Sequence, residues 1–130
     1  MASLFSKIIK GEIPSYKIAE NELFYAFLDI EPLQKGHTLI VPKQEVDKFY
    51  DADQVYLAEW LLFAQPIIRA IEKSVPCLRV GLSFVGLEVP HAHMHLVPLN
   101  TMRDMDFTRK TGKASAEELE HVQQLICSHL

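Results

Sequence analysis

From His91 to Leu96 the chain alternates histidine with apolar residues, in the setting Pro90-His91-Ala92-His93-Met94-His95-Leu96-Val97-Pro98. Successive side chains of an extended strand point to opposite faces. The alternation therefore predicts a strand, drawn here from Val89 to Pro98, with His91, His93 and His95 on one face and Ala92, Met94 and Leu96 on the other. The apolar face must be covered by a core, and three imidazoles must find a purpose on the other.

Three purposes can be weighed. A half-buried strand whose polar side merely happens to be histidine is a poor explanation, because half of the six histidines fall within five residues. A shared metal ion fits badly: His91 and His95 would stand about 13 Å apart along an extended strand. Cys77 and Cys127 offer no ligand pair, so no metal and no cofactor is expected. Catalysis uses all three rings, since a neutral imidazole is a nucleophile near pH 7 and its neighbours can move protons or donate to a phosphoryl oxygen. The middle ring, His93, is the natural attacker. His37 joins the group as the histidine at another strand start, where Gly36 lets the backbone approach closely.

Around this strand the pattern reads as helix, three strands, long helix, two strands, helix. Leu4, Phe5, Ile8 and Ile9 form a helical stripe over residues 3–9, stopped by Gly11 and Pro14. Strands are expected at 16–19, 23–28, 37–41 and 78–85, with Glu20-Asn21-Glu22 turning the first pair into a hairpin. Helical spacing runs from Asp53 to Ser74, with a kink or break expected between Leu62 and Pro66, because proline lacks an N–H and crowds the preceding turn. Residues 99–113 are charged and without pattern, hence a loop. Ser115-Ala116-Glu117-Glu118 has the form of a capping box ahead of Leu119, Val122, Leu125 and Ile126. The order predicts an α+β fold with a largely antiparallel sheet.

A net charge of −4 leaves no basic field for a polyanion, so nucleic acid is not an expected partner and a small ligand is. No apolar run approaches the roughly 20 residues of a membrane span, and the N-terminal stretch is broken by Lys7 and Lys10. The two cysteines, far apart, are expected to be buried thiols in a reducing compartment, which places the protein in the cytoplasm.

His91-Ala92-His93-Met94-His95-Leu96-Val97 resembles the His-φ-His-φ-His-φ-φ signature of the histidine triad (HIT) family of nucleotide hydrolases and transferases. Residues 5–15, 26–30 and 36–43 resemble further HIT blocks in the same order. The resemblance implies a HIT-like fold with a five-stranded sheet and a homodimer whose sheet continues across the interface. It assigns 1–98 to the HIT domain and leaves 99–130 as a loop and helix packed on it. It also implies two-step chemistry, in which His93 attacks the α-phosphorus of a nucleoside monophosphate derivative and water then releases the monophosphate. His91 and His95 would orient His93, contact phosphate and transfer protons, with His37 packed behind. Phe5, Ile8, Phe27 and Ile30 would form the slot for the base, and Asp29 would accept from the ribose hydroxyls; ordinary core and turn roles are the alternatives for these positions.

Departures from the pattern are informative. Relatives with structural zinc carry two cysteines and a histidine where this chain has Ser3, Ser6 and Glu45, a poor donor set for zinc. Gly86-Leu87 stands where the family has a Gly-Gln pair, and strand parity would put Leu87 on the histidine face, where it can donate nothing. Ser83 is the nearest substitute for a missing asparagine. The first reading is a phosphoramidase-like (Hint-like) hydrolase; the alternatives are a dinucleoside polyphosphate hydrolase and a nucleotide-binding module with little activity.

Overall fold

In the computed structural model, which describes residues 2–130, three helices pack against one five-stranded sheet. The helices are α1 (Leu4–Ile9), α2 (Gln54–Ser74) and α3 (Ala116–Cys127); the strands are β1 (Lys17–Glu20), β2 (Phe24–Leu28), β3 (Thr38–Pro42), β4 (Arg79–Phe84) and β5 (Met94–Leu99). All neighbours are antiparallel, in the order β1-β2-β3-β5-β4. Among the described residues no helix is long and apolar enough to cross a membrane.

Strand β2 is buried throughout because both of its faces are covered. Phe24, Ala26 and Leu28 meet α2 and α3 through Trp60, Ala64, Ile67, Ile71, Leu119, Val122 and Ile126. On the opposite side Tyr25 and Phe27 join Leu39 and Val41 of β3 beneath Phe5 and Ile8 of α1. The period-2 alternation of the strands thus divides two apolar layers cleanly. Ser3 caps α1 by accepting from the Ser6 N–H, and Ser115 caps α3 by accepting from the Glu118 N–H.

Four expectations need correction. The triad strand begins at Met94, not at Val89. Its ladder with β3 ends at the Ile40–Met94 pair, because Pro42 has no N–H to offer and its carbonyl accepts from a side chain, His91 Nε2, at 2.9 Å. Helix α2 is unbroken through Pro66. Pro66 and Leu62 both lie on its exposed side, so the freed carbonyl faces water while Trp60, Ala64, Ile67 and Ile71 hold the inner face. Residues 99–113 contain two 3-10 turns, at Met102–Met105 and Phe107–Arg109. Asp104 accepts from the N–H groups of Asn100 and Thr101, and Asp106 from that of Thr108, so local carboxylate caps replace an apolar pattern. The thiols are free but not buried: Cys77 is half-buried and Cys127 exposed.

Replacing Pro66 restores one helical hydrogen bond without touching the core. Pro66→Ala is expected to stabilise the protein by about 1–3 kcal/mol in urea unfolding; a loss of stability would show that the ring is packed rather than merely tolerated.

Candidate active site

The register row Phe27–Leu39–His95 crosses the sheet on the face covered by α1. A cavity of about 390 Å³ opens on that face. Phe5 and Ile8 of α1, Phe27 of β2, Asp29 and Ile30 just beyond it, Gly86, His93 and His95 all line it. His37 lies immediately behind His95, and Gly36 makes that possible: its φ is +95°, and a Cβ there would come 3.0 Å from Val75.

Hydrogen bonds assign the protons on these rings. The Leu33 N–H can only donate, and it points at His37 Nδ1 at 3.0 Å. The His37 proton is therefore on Nε2, which donates to His95 Nδ1 at 2.9 Å. His95 in turn carries its proton on Nε2. On the other ring, His93 Nδ1 donates to the His91 carbonyl at 2.8 Å, which leaves the lone pair on His93 Nε2. The His93 and His95 ring centroids are 4.8 Å apart. A lone pair and an N–H donor thus sit side by side.

Burial keeps the rings neutral. It pushes His37 and His95 down to about 3, helped by the Lys110 charge and by neighbouring histidines. His93 is also lowered by burial, against a smaller opposing effect of its bond to the His91 carbonyl. Asp29 is shifted the other way, burial raising its carboxyl despite the Glu31 N–H that Oδ1 accepts at 2.9 Å. Its Oδ2 stands 3.7 Å from His37 Nε2, beyond hydrogen-bonding distance. Asp29, His37 and His95 therefore resemble a metal-binding trio, yet His37 Nε2 holds a proton rather than a lone pair.

His91 differs from its expected role. Its ring is fully buried outside the cavity: Nε2 donates to the Pro42 carbonyl, and Nδ1 accepts from Ser3 Oγ at 2.7 Å. Both nitrogens are committed, so the ring has none left for phosphate, and its carbonyl is what reaches His93. Glu45 accepts from the Ser3 N–H, and that bond, helped by the nearby Ser6 hydroxyl, pulls its carboxyl below the usual range. Ser3, Ser6 and Glu45 thus form a hydrogen-bonded clamp with His91, and two hydroxyls with one carboxylate do not fit a zinc ion.

Ser83 shares the sheet face of His95, its register partner, but lies outside the cavity, with its hydroxyl 3.7 Å from the Met105 sulfur. Leu87, 88% exposed, sits at the rim, on a segment that is not a strand. Phe107, Thr108, Lys110 and Glu88 line the cavity and were not legible beforehand. Phe107 packs edge-on against His95 at 4.6 Å. Only its being a lone aromatic in a polar stretch sets it apart in the sequence.

Residues 10–102 match the HIT domain. The chain belongs to the HIT family. It is 39% identical over 98 residues to adenosine 5'-monophosphoramidase HNT1 of Saccharomyces cerevisiae, covering 75% of this chain and 62% of that protein, so it spans less than two thirds of the yeast relative's length. The Schizosaccharomyces pombe adenosine 5'-monophosphoramidase hnt1 is 35% identical, with 75% and 74% covered. Among solved HIT structures, a Hit-like protein from Bartonella henselae superposes with a TM-score of 0.86 at 28% identity, over 98% of this chain and 96% of that one. A Zn-bound histidine triad family protein from Mycobacterium smegmatis superposes with 0.80 at 25% identity, over 99% and 93%. The five-stranded α+β architecture is the HIT-like fold.

Two outcomes are expected. Unfolded histidines titrate near 6.5, whereas folded His37 and His95 titrate near 3. Between these values the unfolded chain binds more protons, so stability rises with pH and is lost as pH falls from 6.5 toward 3. Melting curves from pH 7 to pH 5 should decline, by up to about 1.4 kcal/mol per pH unit for each histidine; a flat curve would contradict the neutral pair. Ser3→Ala strands the buried His91 Nδ1 and should cost about 1–3 kcal/mol in denaturant unfolding.

Proposed function

We propose that this chain is a nucleotide hydrolase that cleaves nucleoside 5'-monophosphate derivatives, phosphoramidates foremost, at the α-phosphorus through a nucleotidyl-His93 intermediate. The observation that carries this reading is the lone pair on His93 Nε2 beside the N–H of His95, inside a cavity with apolar walls. The names of the two yeast relatives support the same chemistry.

The flat apolar base fits between Phe5, Ile8, Phe27 and Ile30. Asp29 Oδ2 accepts from the ribose diol, which compensates a carboxylate that burial has made costly. His93 Nε2 forms the bond to phosphorus, and the P–N bond breaks with its electron pair on nitrogen. The nitrogen leaves as the amine, keeping the proton it carried in the N-protonated phosphoramidate. His95 Nε2–H meanwhile donates to a phosphoryl oxygen, where charge develops. Nucleotidylated His93 is cationic, its proton staying on Nδ1, which continues to donate to the His91 carbonyl. Water then attacks phosphorus, the P–N bond to His93 breaks, and the nucleoside monophosphate and one proton are released. His37 acts as a positioning residue by fixing the His95 tautomer, and His91 does so through its carbonyl.

The free cysteines support a cytoplasmic setting. A homodimer is supported by β4, one of the two edge strands of the sheet, and by the exposed Leu61 and Leu82.

Rapid quenching with adenosine 5'-phosphoramidate should trap a nucleotidyl group on the peptide that contains His93. His93→Ala should abolish turnover while keeping AMP affinity within about tenfold, roughly 1.4 kcal/mol. Retained turnover in that variant would refute the assignment.

A further inference from the structure

The cavity lining carries three carboxylates, Asp29, Glu31 and Glu88, and a single lysine or arginine, Lys110. His93 and His95 are neutral at pH 7, so an anionic ligand meets one permanent positive charge. That charge is near the reacting groups: it disfavours protonation of His37, His93 and His95 and partly opposes the rise that burial imposes on the Asp29 carboxyl. Leu87, at the same rim, has no donor for phosphate.

Lys110 lies beyond residue 102, where the family match ends. Its segment is nonetheless anchored on both sides. Phe107 packs against His95 before it, and after it the Ala114 N–H donates to the Ile30 carbonyl at 2.9 Å. The Lys110 ammonium contacts Glu88 at 3.3 and 3.5 Å, and the Glu88 side chain is 74% exposed. Such an exposed, long ion pair contributes little and is easily exchanged.

We propose that Lys110 is the phosphate-recognition residue of this site, paired with Glu88 until the phosphoryl group of a bound nucleotide displaces that carboxylate. This assignment rests on the nucleotide reading above. A phosphoryl oxygen is a stronger partner than Glu88 because it brings its charge to the sheltered side of the ammonium, next to the His95 N–H. Glu88 is then a built-in competitor that sets how tightly phosphate is held.

Titration calorimetry with AMP and with adenosine separates phosphate recognition from base recognition. Lys110→Ala should weaken AMP binding about tenfold or more and leave adenosine within about twofold. Lys110→Arg should recover most of the AMP affinity, and Glu88→Gln should tighten it about two- to threefold by freeing the ammonium. Melting curves of each variant verify folding. Unchanged AMP affinity in Lys110→Ala, or a parallel loss of AMP and adenosine in a folded variant, would overturn the assignment while leaving the nucleotide reading in place. Failure of the wild-type protein to bind either ligand would sink the nucleotide reading, and this assignment with it.

Discussion

A main-chain amide decides the chemistry of this site. The Leu33 N–H cannot accept, so it forces the His37 proton onto Nε2; that proton forces the His95 proton to the far side of its ring. In parallel, the His91 carbonyl cannot donate, so it holds the His93 proton on Nδ1. Two backbone groups thereby convert chemically identical imidazoles into one ring with a free Nε2 lone pair and one N–H donor, with no charged residue involved in the choice. Burial then secures the arrangement, because desolvation lowers the pKa of each ring and so preserves the free lone pair on His93.

The fold exists to hold those two backbone groups at fixed separation from the rings. The β3–β5 ladder carries His37 and His95 toward each other, while the proline that ends it releases residues 89–93 from strand geometry. Once out of the ladder, His91 turns inward against Ser3 and Pro42, and its carbonyl becomes available to His93. The clamp around Ser3, Ser6 and Glu45 ties α1 to the same segment. Since α1 also supplies Phe5 and Ile8, the apolar wall of the cavity and His93 share one anchor. The tail adds the outer wall, where Phe107 shields the histidine pair from water and Lys110 adds a charge.

Local pattern carried much of this information. Alternation marked the histidine strand, and short apolar runs bounded by turn residues marked β2 and β3; because both faces of the sheet are covered, those runs are nearly continuous and did not announce the two layers they separate. The capping serine at position 115 announced its helix for a local reason too, whereas the Ser3 cap of α1 emerged only in the structure. Pro66 misled, since the cost of a proline in a helix is local and is offset by packing on a different face of the same helix. The turns at 102–109 were invisible because carboxylate caps to nearby amides leave no periodicity behind.

What the linear order of residues determined by itself was the inventory: an α+β chain with three alternating histidines, an apolar set at Phe5, Ile8, Phe27 and Ile30, and Asp29 next to it. The fold class and the histidine face follow from side-chain period and residue type, which are properties of short segments; the apolar set and Asp29 follow from the resemblance to the HIT blocks. What only the tertiary structure decided was the division of labour among the histidines. Their tautomers depend on which donor or acceptor each ring nitrogen meets, and several of those partners are distant in sequence: His37 lies 58 residues from His95, and Pro42 lies 49 residues from His91. Alternation placed His91 with its neighbours; a proline on another strand ended the ladder and turned it away. Lys110 and Phe107 reach the cavity for a similar reason, being delivered by a tail whose course is set by contacts with the finished sheet.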